Sequence, residues 1–211
     1  RLYRFHLAED DSPALDMLCR QGRMHPSVAS FPNQAFYGGK LMPVGLSHQL
    51  EEISSPVLFI PSRRDTGSLS GKTNVYEAQM VADWAERIWK ESPEAFDAHR
   101  TLGIITPYRS QIALIRKQLQ RKGIPALLDI SVDTVERYQG SERDVIIYSF
   151  CVNHRYQLKF LPNLTEENGT LIDRKLNVAL TRARKRMIVI GVPELLKENP
   201  IYHHFISSYS V

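Results

Sequence analysis

The chain has 211 residues, of which 43% are hydrophobic and 24% are charged, and its formal net charge is +4. This length and apolar content are enough to bury one large core, and they exclude collagen-like and disordered chains. No run approaches the roughly 18 apolar residues of a membrane-spanning helix, so we expect no membrane partner. The mixed polar segment that follows Arg1 is typical of the middle of a protein, and we expect the chain to be part of a longer one.

The cysteines indicate the redox compartment, and the charge distribution bears on the class of binding partner. Cys19 and Cys151 are too few and too far apart to indicate a disulfide framework or a zinc site, so a reduced, cytoplasmic setting is expected. Basic residues are concentrated in two acid-free stretches, between Asp97 and Asp129 and from 174 to 186. These stretches are compatible with a polyanionic partner, but two solvated helix surfaces explain them equally well.

The amino-terminal quarter predicts little regular structure. Residues 12–13, Ser-Pro, are typical of a helix start, with serine as the cap and proline in the first turn. Arg23 follows in the segment Gln-Gly-Arg-Met-His-Pro. Beyond it, Pro26 and Pro32 disfavour a continuous helix, and the glycines at 38–39 predict a turn.

The remaining chain alternates apolar runs with amphipathic stretches. One amphipathic helix is predicted over 75–88, and a second carries apolar residues from 112 to 119 and ends at Gly123. Such alternation, with no polar face on the strands, predicts an α/β domain of three layers with a mainly parallel sheet of at least five strands. The predicted buried strands lie at 56–61, at 102–105, in or next to 126–132, at 145–150 and at 187–192. We expect 153–172 to be an irregular insertion, either a loop or a small hairpin.

A Gly-Lys-Thr sequence at residues 71–73 resembles the end of a phosphate-binding loop. That pattern also requires a glycine at position 66, where this chain has Thr66, and Gly67 is one place away. The loop does precede a predicted helix. The missing glycine nevertheless disfavours a phosphate loop here.

The stretch from Leu176 to Gly191 predicts a basic helix that passes into a strand. Apolar residues recur at helical spacing, Asp173 is suited to cap the helix, and Arg182 lies off the apolar stripe. We expect residues 184–186, Arg-Lys-Arg, in the last helical turn, where cations suit the helix dipole. On pattern alone, Arg182 is either an anion ligand or one cation of a solvated helix end.

Two loops carry further candidate ligand groups. One follows the strand at 102–105, and ligands bind at the carboxyl ends of strands in open α/β sheets. The other, at 134–144, combines a glycine with an amide and a carboxylate, which suits a nucleotide but is equally typical of a polar turn. The candidates are Thr106, Pro107, Tyr108, Thr134, Gln139, Gly140 and Glu142.

Four motifs in order resemble one known family. QGRMHP, ITPYRSQ, TVERYQGSERDVIIYS and LNVALTRARKRMIVIG are similar to motifs of the second RecA-like motor domain of superfamily 1 helicases. The similar subgroup comprises the up-frameshift RNA helicase, senataxin and the Dna-two-type nuclease-helicases. The resemblance implies one RecA-like domain over residues 1–211. It also implies that ATP with magnesium lies between this domain and a first RecA-like domain of the same chain.

The resemblance also implies a role for each motif. The first motor domain supplies the phosphate loop and the magnesium ligands, so no metal ligand is expected here. Arg23 and Arg182 correspond to the arginines that reach the γ-phosphate, while Gln139, Gly140 and Glu142 correspond to the motif that senses the nucleotide. The residues implied to line a track for single-stranded DNA or RNA are Thr106, Pro107, Tyr108 and Thr134.

The chain departs from the family pattern at two positions. Gly22 replaces a tyrosine whose ring can lie against the adenine, and Glu136 replaces a common aspartate. We expect the carboxyl-terminal motor domain of an ATP-dependent helicase or translocase, inactive in isolation because it lacks a phosphate loop. The alternatives are a helicase-derived, non-catalytic module that binds nucleic acid or protein, and a small self-sufficient NTPase that uses residues 71–73.

Overall fold

The computed structural model of the chain describes residues 19–167 and 169–209, so the helix start predicted at residues 12–13 lies outside it. The described strands are, in chain order, β1 (Arg20–Gln21), β2 (Met42–Pro43), β3 (Val57–Pro61), β4 (Leu102–Ile105), β5 (Ser131–Asp133), β6 (Arg143–Ser149), β7 (Leu164–Glu167), β8 (Thr170–Asp173) and β9 (Ala183–Gly191). The described α-helices are α1 (Pro26–Phe36), α2 (Ser47–Leu50), α3 (Val75–Glu91), α4 (Arg109–Arg121), α5 (Arg174–Leu180), α6 (Pro193–Leu196) and α7 (Pro200–Tyr209). Short 3₁₀ helices occupy Pro93–Ala95, Pro125–Leu127 and Arg155–Lys159.

A five-stranded, all-parallel sheet forms the centre of the domain, in the order β3-β9-β6-β4-β5. Each strand overlaps one of the five predicted positions, with β5 at the carboxyl end of the predicted range 126–132. Strand β4 is buried along its whole length, as expected for an inner strand of a parallel sheet. The predicted α/β class with at least five parallel strands is therefore confirmed.

Each face of the sheet is covered by helices because successive strand residues point to opposite sides. Along β6, Val145 and Ile147 contact a core formed with α3 and α4. Ile146 and Tyr148 contact the opposite core, formed with α1, α5 and α7. The domain thus has the predicted three layers. None of its helices in the described ranges has the length and apolar character needed to cross a bilayer.

The prediction that prolines interrupt the segment after Arg23 was wrong. Helix α1 is continuous, with Pro26 in its first turn and Pro32 inside it. Pro32 is buried beside Phe31, whose ring packs edge-on against Phe205 at 5.0 Å. Burial of this apolar face therefore outweighs the hydrogen bond that a proline removes. The turn predicted at residues 38–39 is confirmed, since both glycines have positive φ angles.

The prediction that Arg184, Lys185 and Arg186 lie in a helical turn was also wrong. Helix α5 ends at Leu180, and these residues belong to β9, which pairs with β6 from Ala183 onward. Their charges face carboxylates on neighbouring elements. The ion pairs are Arg184 with Asp144, Lys185 with Glu51 and Arg186 with Glu91. Strand pairing and these ion pairs determine the structure here, rather than helix propensity.

The insertion at 153–172, expected to be a loop or a small hairpin, contains a hairpin. It begins with the 3₁₀ helix at Arg155–Lys159 and continues into the antiparallel hairpin of β7 and β8. The hairpin ends at Asp173. That side chain caps α5 by accepting hydrogen bonds from the backbone amides of Lys175 and Leu176, as the sequence predicts.

A buried carboxylate connects α3 to the end of β6. Oε2 of Glu77 accepts hydrogen bonds from the Ser149 hydroxyl at 2.6 Å and from the Cys151 amide at 2.9 Å. Oε1 is buried and has no described partner. Burial raises the pKa of Glu77 from 4.5 to about 7, although both hydrogen bonds lower it. Glu77 therefore binds a proton more readily in the folded state than in the unfolded state.

Replacing Glu77 with glutamine should remove a pH dependence of stability. Because the folded pKa is raised, its contribution to stability is complete below about pH 4.5 and is lost as the pH rises to about 7. The loss amounts to up to about 3 kcal/mol for a shift of this size. In Glu77→Gln the amide oxygen can accept both hydrogen bonds at every pH. Chemical denaturation at acidic, neutral and mildly alkaline pH should show stability falling in the parent chain and not in the variant; parallel curves would contradict the assignment.

Candidate functional site

A cleft of about 670 Å³ brings the two predicted arginines together. They come from opposite ends of the sequence, and Glu142 from the predicted nucleotide-sensing loop lies beside them. The lining residues are Arg20, Gln21, Gly22, Arg23, Met24, Tyr37, Leu41, Glu142, Thr181 and Arg182.

Arg182 is positioned by the junction between α5 and β9. Its carbonyl accepts a hydrogen bond from the Arg143 amide at 3.1 Å, which fixes the junction to the start of β6. Its own side chain is held locally, since Nε donates to the Val178 carbonyl at 3.0 Å and a terminal nitrogen donates to the Thr181 hydroxyl at 3.1 Å. The hydrogen bonds of its backbone and side chain thus hold the Arg182 guanidinium at the cleft.

Arg23 reaches the same cleft from the segment before α1. The next residues are tied to β9 because the His25 amide donates to the Arg184 carbonyl at 2.7 Å. Nε of Arg23 donates to Glu142 at 2.6 Å. Both side chains of this ion pair are partly exposed, at 35% and 44%, and such pairs contribute about 0–1 kcal/mol. An anion in the cleft therefore competes with Glu142 for Arg23 at little cost.

The electrostatics of the cleft favour an anion. Burial of the Arg182 guanidinium, and secondly the charge of Arg23, lower its pKa from the ordinary value. Two like charges in a partly buried cleft are unfavourable unless an opposite charge offsets them. Glu142 offsets only part of this charge. A phosphate group, which accepts bidentate hydrogen bonds from guanidinium, has the matching chemistry.

The structure does not place Gln139 and Gly140 among the residues that line the cleft. Both are exposed in the segment between β5 and β6, and Gly140 has a φ of +89°. No atom lies within 4 Å of a Cβ built at Gly140, so the glycine is required by the turn rather than by a close approach.

The predicted track residues lie at the opposite edge of the sheet, where β4 and β5 end. The Thr106 amide donates a hydrogen bond to the Asp133 carbonyl of β5 at 3.1 Å. The Thr106 side chain is fully buried. Pro107 and Tyr108 follow it, with the Tyr108 hydroxyl accepting from Gln157 at 3.1 Å. Thr134 begins the segment after β5. This is the carboxyl edge of the sheet, as the sequence predicts for these residues.

The arginine cleft, in contrast, lies at the amino edge, because Glu142 and Arg182 precede paired strands β6 and β9. The rule that ligands bind at the carboxyl ends of strands does not predict this position. Residues 134–142 run from one edge to the other. Val135 and Tyr138 of this segment are buried in the core, so the connection is packed rather than loose.

The Gly-Lys-Thr loop does not present its backbone as a phosphate cradle does. The amide of Gly71 donates to the Ser68 carbonyl, and the amide of Lys72 donates to the Ser70 hydroxyl. The amide of Gly67 donates to the Asp65 carboxylate. A phosphate cradle needs such amides to be available for the ligand. This geometry disfavours the self-sufficient NTPase.

Comparison with known families identifies the chain. A family model described as an AAA domain matches residues 2–194. The chain belongs to this family. Together with relatives that include helicases, this match confirms the resemblance to a superfamily 1 helicase carboxyl-terminal motor domain of the up-frameshift and senataxin type.

Curated relatives match over most of this chain. Regulator of nonsense transcripts 1 of Dictyostelium discoideum is 32% identical over 207 residues, covering 92% of this chain and 15% of the relative. Helicase sen1 of Schizosaccharomyces pombe is 29% identical, and the match covers 88% of this chain and 11% of the relative. DNA polymerase alpha-associated DNA helicase A of the same organism is 30% identical, and the match covers 88% of this chain and 29% of the relative. The chain thus spans less than a third of the length of each of these relatives.

A solved structure was also found. The carboxyl-terminal domain of a possible DNA helicase from Lactobacillus plantarum aligns with 86% of this chain and 96% of that chain, at a TM-score of 0.47 and 15% identity.

Some cleft residues are not predicted by sequence reasoning. Thr181 stands next to Arg182 in the same motif, and its position could have indicated a role. Tyr37 is different, because its aromatic ring suggests only packing; in the structure its hydroxyl accepts from Asn177 at 3.1 Å beside the cleft. At Gly22, a Cβ would lie 3.2 Å from Leu46 and 3.3 Å from Val44, so a tyrosine there would require both side chains to shift.

Asp173 should stabilise the helix that positions Arg182. Besides capping α5, its buried carboxylate accepts from the Asn163 amide at 3.0 Å and from the Tyr202 hydroxyl at 2.7 Å. Asp173→Ala leaves several buried donors without partners and should cost about 2–4 kcal/mol of unfolding free energy. Tyr202→Phe removes only one bond and should cost about 1 kcal/mol. Urea denaturation measures both; equal small losses would show that the cap is not needed.

Proposed function

We propose that this domain supplies two arginines to ATP bound against a first RecA-like domain of the same protein, and that the whole protein is an ATP-dependent helicase or translocase. The observation that supports this proposal is the convergence of Arg23 and Arg182 in one cleft. The names of the relatives include helicases, and the chain corresponds to only part of their length.

The chemistry of the cleft follows from its charges. Arg182 and Arg23 donate hydrogen bonds to the γ-phosphoryl oxygens and stabilise the charge that spreads over them during transfer. Glu142 holds Arg23 in place until the phosphate displaces it. Among the described residues, no group of three or more His, Cys, Asp or Glu side chains could hold a metal ion. By the family resemblance, magnesium and its ligands would belong to the first domain, where the ion would offset phosphate charge.

The carboxyl edge is the proposed path of single-stranded DNA or RNA. Pro107, Tyr108 and Thr134 lie at this edge, with Thr106 packed beneath them, and Arg109 is exposed at the start of α4. Polar groups and backbone at such an edge contact phosphates and sugars, which carries little base specificity. Gln139 and Gly140 lie within the segment that connects this path to the nucleotide cleft.

Removing the cleft arginines should abolish ATP turnover in the full-length protein. With single-stranded nucleic acid present, Arg182→Ala or Arg23→Lys should reduce kcat by about 10³- to 10⁵-fold, since an arginine finger acts mainly on the transition state. The affinity for ATP should change much less. Arg186→Ala is a matched control, because this arginine lies four residues away on β9 and pairs with Glu91 outside the cleft.

The outcomes separate the alternatives. Normal turnover in both cleft variants would contradict the finger assignment. Strand binding without ATP turnover in the parent protein, with an intact first domain, would favour the non-catalytic binding module. Turnover by the isolated domain would favour the small NTPase and contradict the need for a partner domain.

A further inference from the structure

Two aromatic rings at the carboxyl edge have no role in the function proposed above. The rings of His154 and Tyr156 are stacked, with centroids 5.4 Å apart and planes inclined by only 13°. They lie just beyond β6, at the start of the 3₁₀ helix Arg155–Lys159. Tyr156 is 53% exposed, so one side of its ring remains available to a ligand.

The Gly-Lys-Thr loop supports this ring pair. Gly71 has a φ of +64°, and a Cβ there would lie 2.9 Å from the Tyr156 hydroxyl and 3.0 Å from a His154 ring carbon. The Gly71 carbonyl accepts hydrogen bonds from the buried amides of Asn153 at 3.1 Å and Gln157 at 3.0 Å. The loop is thus fixed to the segment that carries the rings, and its positive φ angle favours glycine at this close contact.

The ring pair adjoins the proposed strand path. Nε2 of Gln157, which bonds to Gly71, also donates to the Tyr108 hydroxyl at 3.1 Å. The Ser110 hydroxyl donates to the Lys72 carbonyl at 2.8 Å. The loop, the rings and the start of α4 therefore form one continuous, hydrogen-bonded surface.

Lys72 is the residue that directly follows the glycine in contact with the rings. Lys72 is exposed, follows Gly71 directly and has no ion pair with any residue that the structure describes. The nearest acidic residue along this loop, Asp65, is already occupied, since it accepts from the amides of Gly67 and Val75. An ordered aromatic surface, with an exposed cation on the loop that supports it, has the chemistry that recognises a base and its phosphate.

We propose that Tyr156, backed by His154, stacks against a base of single-stranded nucleic acid while Lys72 contacts an adjacent phosphate. This inference rests on the strand path proposed above and adds a base-stacking step to it. It also gives residues 71–73 a role: the glycine admits the rings, and the lysine binds a phosphate of the strand rather than of a nucleotide. Stacking of this kind is tolerant of sequence because every base has a flat face.

Binding of the full-length protein to a fluorescein-labelled oligothymidylate, followed by anisotropy, tests this proposal. Tyr156→Ala should weaken binding roughly 10-fold, which is typical for loss of one stacked base, while Tyr156→Phe keeps the ring and should bind normally. Phe160→Ala is a matched control, because Phe160 is 76% exposed in the same segment but outside the stacked pair. On a strand with its bases removed, Tyr156→Ala should have no effect.

Lys72 should act through charge alone. Lys72→Gln should reduce the slope of log affinity against log salt by about 0.7, the value for one phosphate contact on a single strand, and Tyr156→Ala should leave that slope unchanged. Equal binding by the parent protein and Tyr156→Ala, with both correctly folded by thermal unfolding, would overturn the inference and leave the proposed function intact. Failure of the parent protein to bind the strand would overturn both.

Discussion

The parallel pairing of β6 with β9 is the constraint on which both candidate sites depend. At the amino edge, the hydrogen bond from the Arg143 amide to the Arg182 carbonyl places Glu142 and Arg182 side by side. At the carboxyl edge, the same β6 strand ends at Ser149, whose hydroxyl meets Glu77 of α3. A slip of one residue would turn each side chain to the wrong face of the sheet. The register is therefore specified by both cores and is not freely variable.

A buried network of neutral amides stiffens the carboxyl edge. Asn74 and Gln111 exchange backbone and side-chain hydrogen bonds at 2.9 and 3.0 Å, and Asn74 also donates to Asn153. Gln157 extends the network to the loop at 71–73. Amides do not titrate near neutral pH, and a buried network whose members are satisfied holds one conformation. The polar surface at this edge consequently rests on a rigid base, which suits a surface that binds without rearranging.

The sequence predicts the sheet well because burial leaves a local signal. All five strands of the central sheet lie in or next to apolar runs, and the alternation of these runs with amphipathic helices implies the layers. The end of α5 is not predicted, because residues 183–186 have high helix propensity and contain no breaker, and only pairing with distant β6 makes them a strand. Likewise, no spacing in the chain indicates that Arg23 approaches Arg182; the family resemblance does. Tyr37 is missed because an aromatic ring gives the same signal in a core and at a cleft.

The packed segment at 134–142 has a thermodynamic consequence. It joins the carboxyl edge of the sheet to the arginine cleft. Tyr138 within it is buried and hydrogen-bonded to Ser131. A ligand that shifts one end of such a segment changes the affinity at the other end by a coupling free energy. That coupling is reciprocal: if a strand tightens nucleotide binding by some factor, the nucleotide tightens strand binding by the same factor. Within the proposed function, the packing of this short segment would therefore set how strongly strand binding and nucleotide binding affect each other.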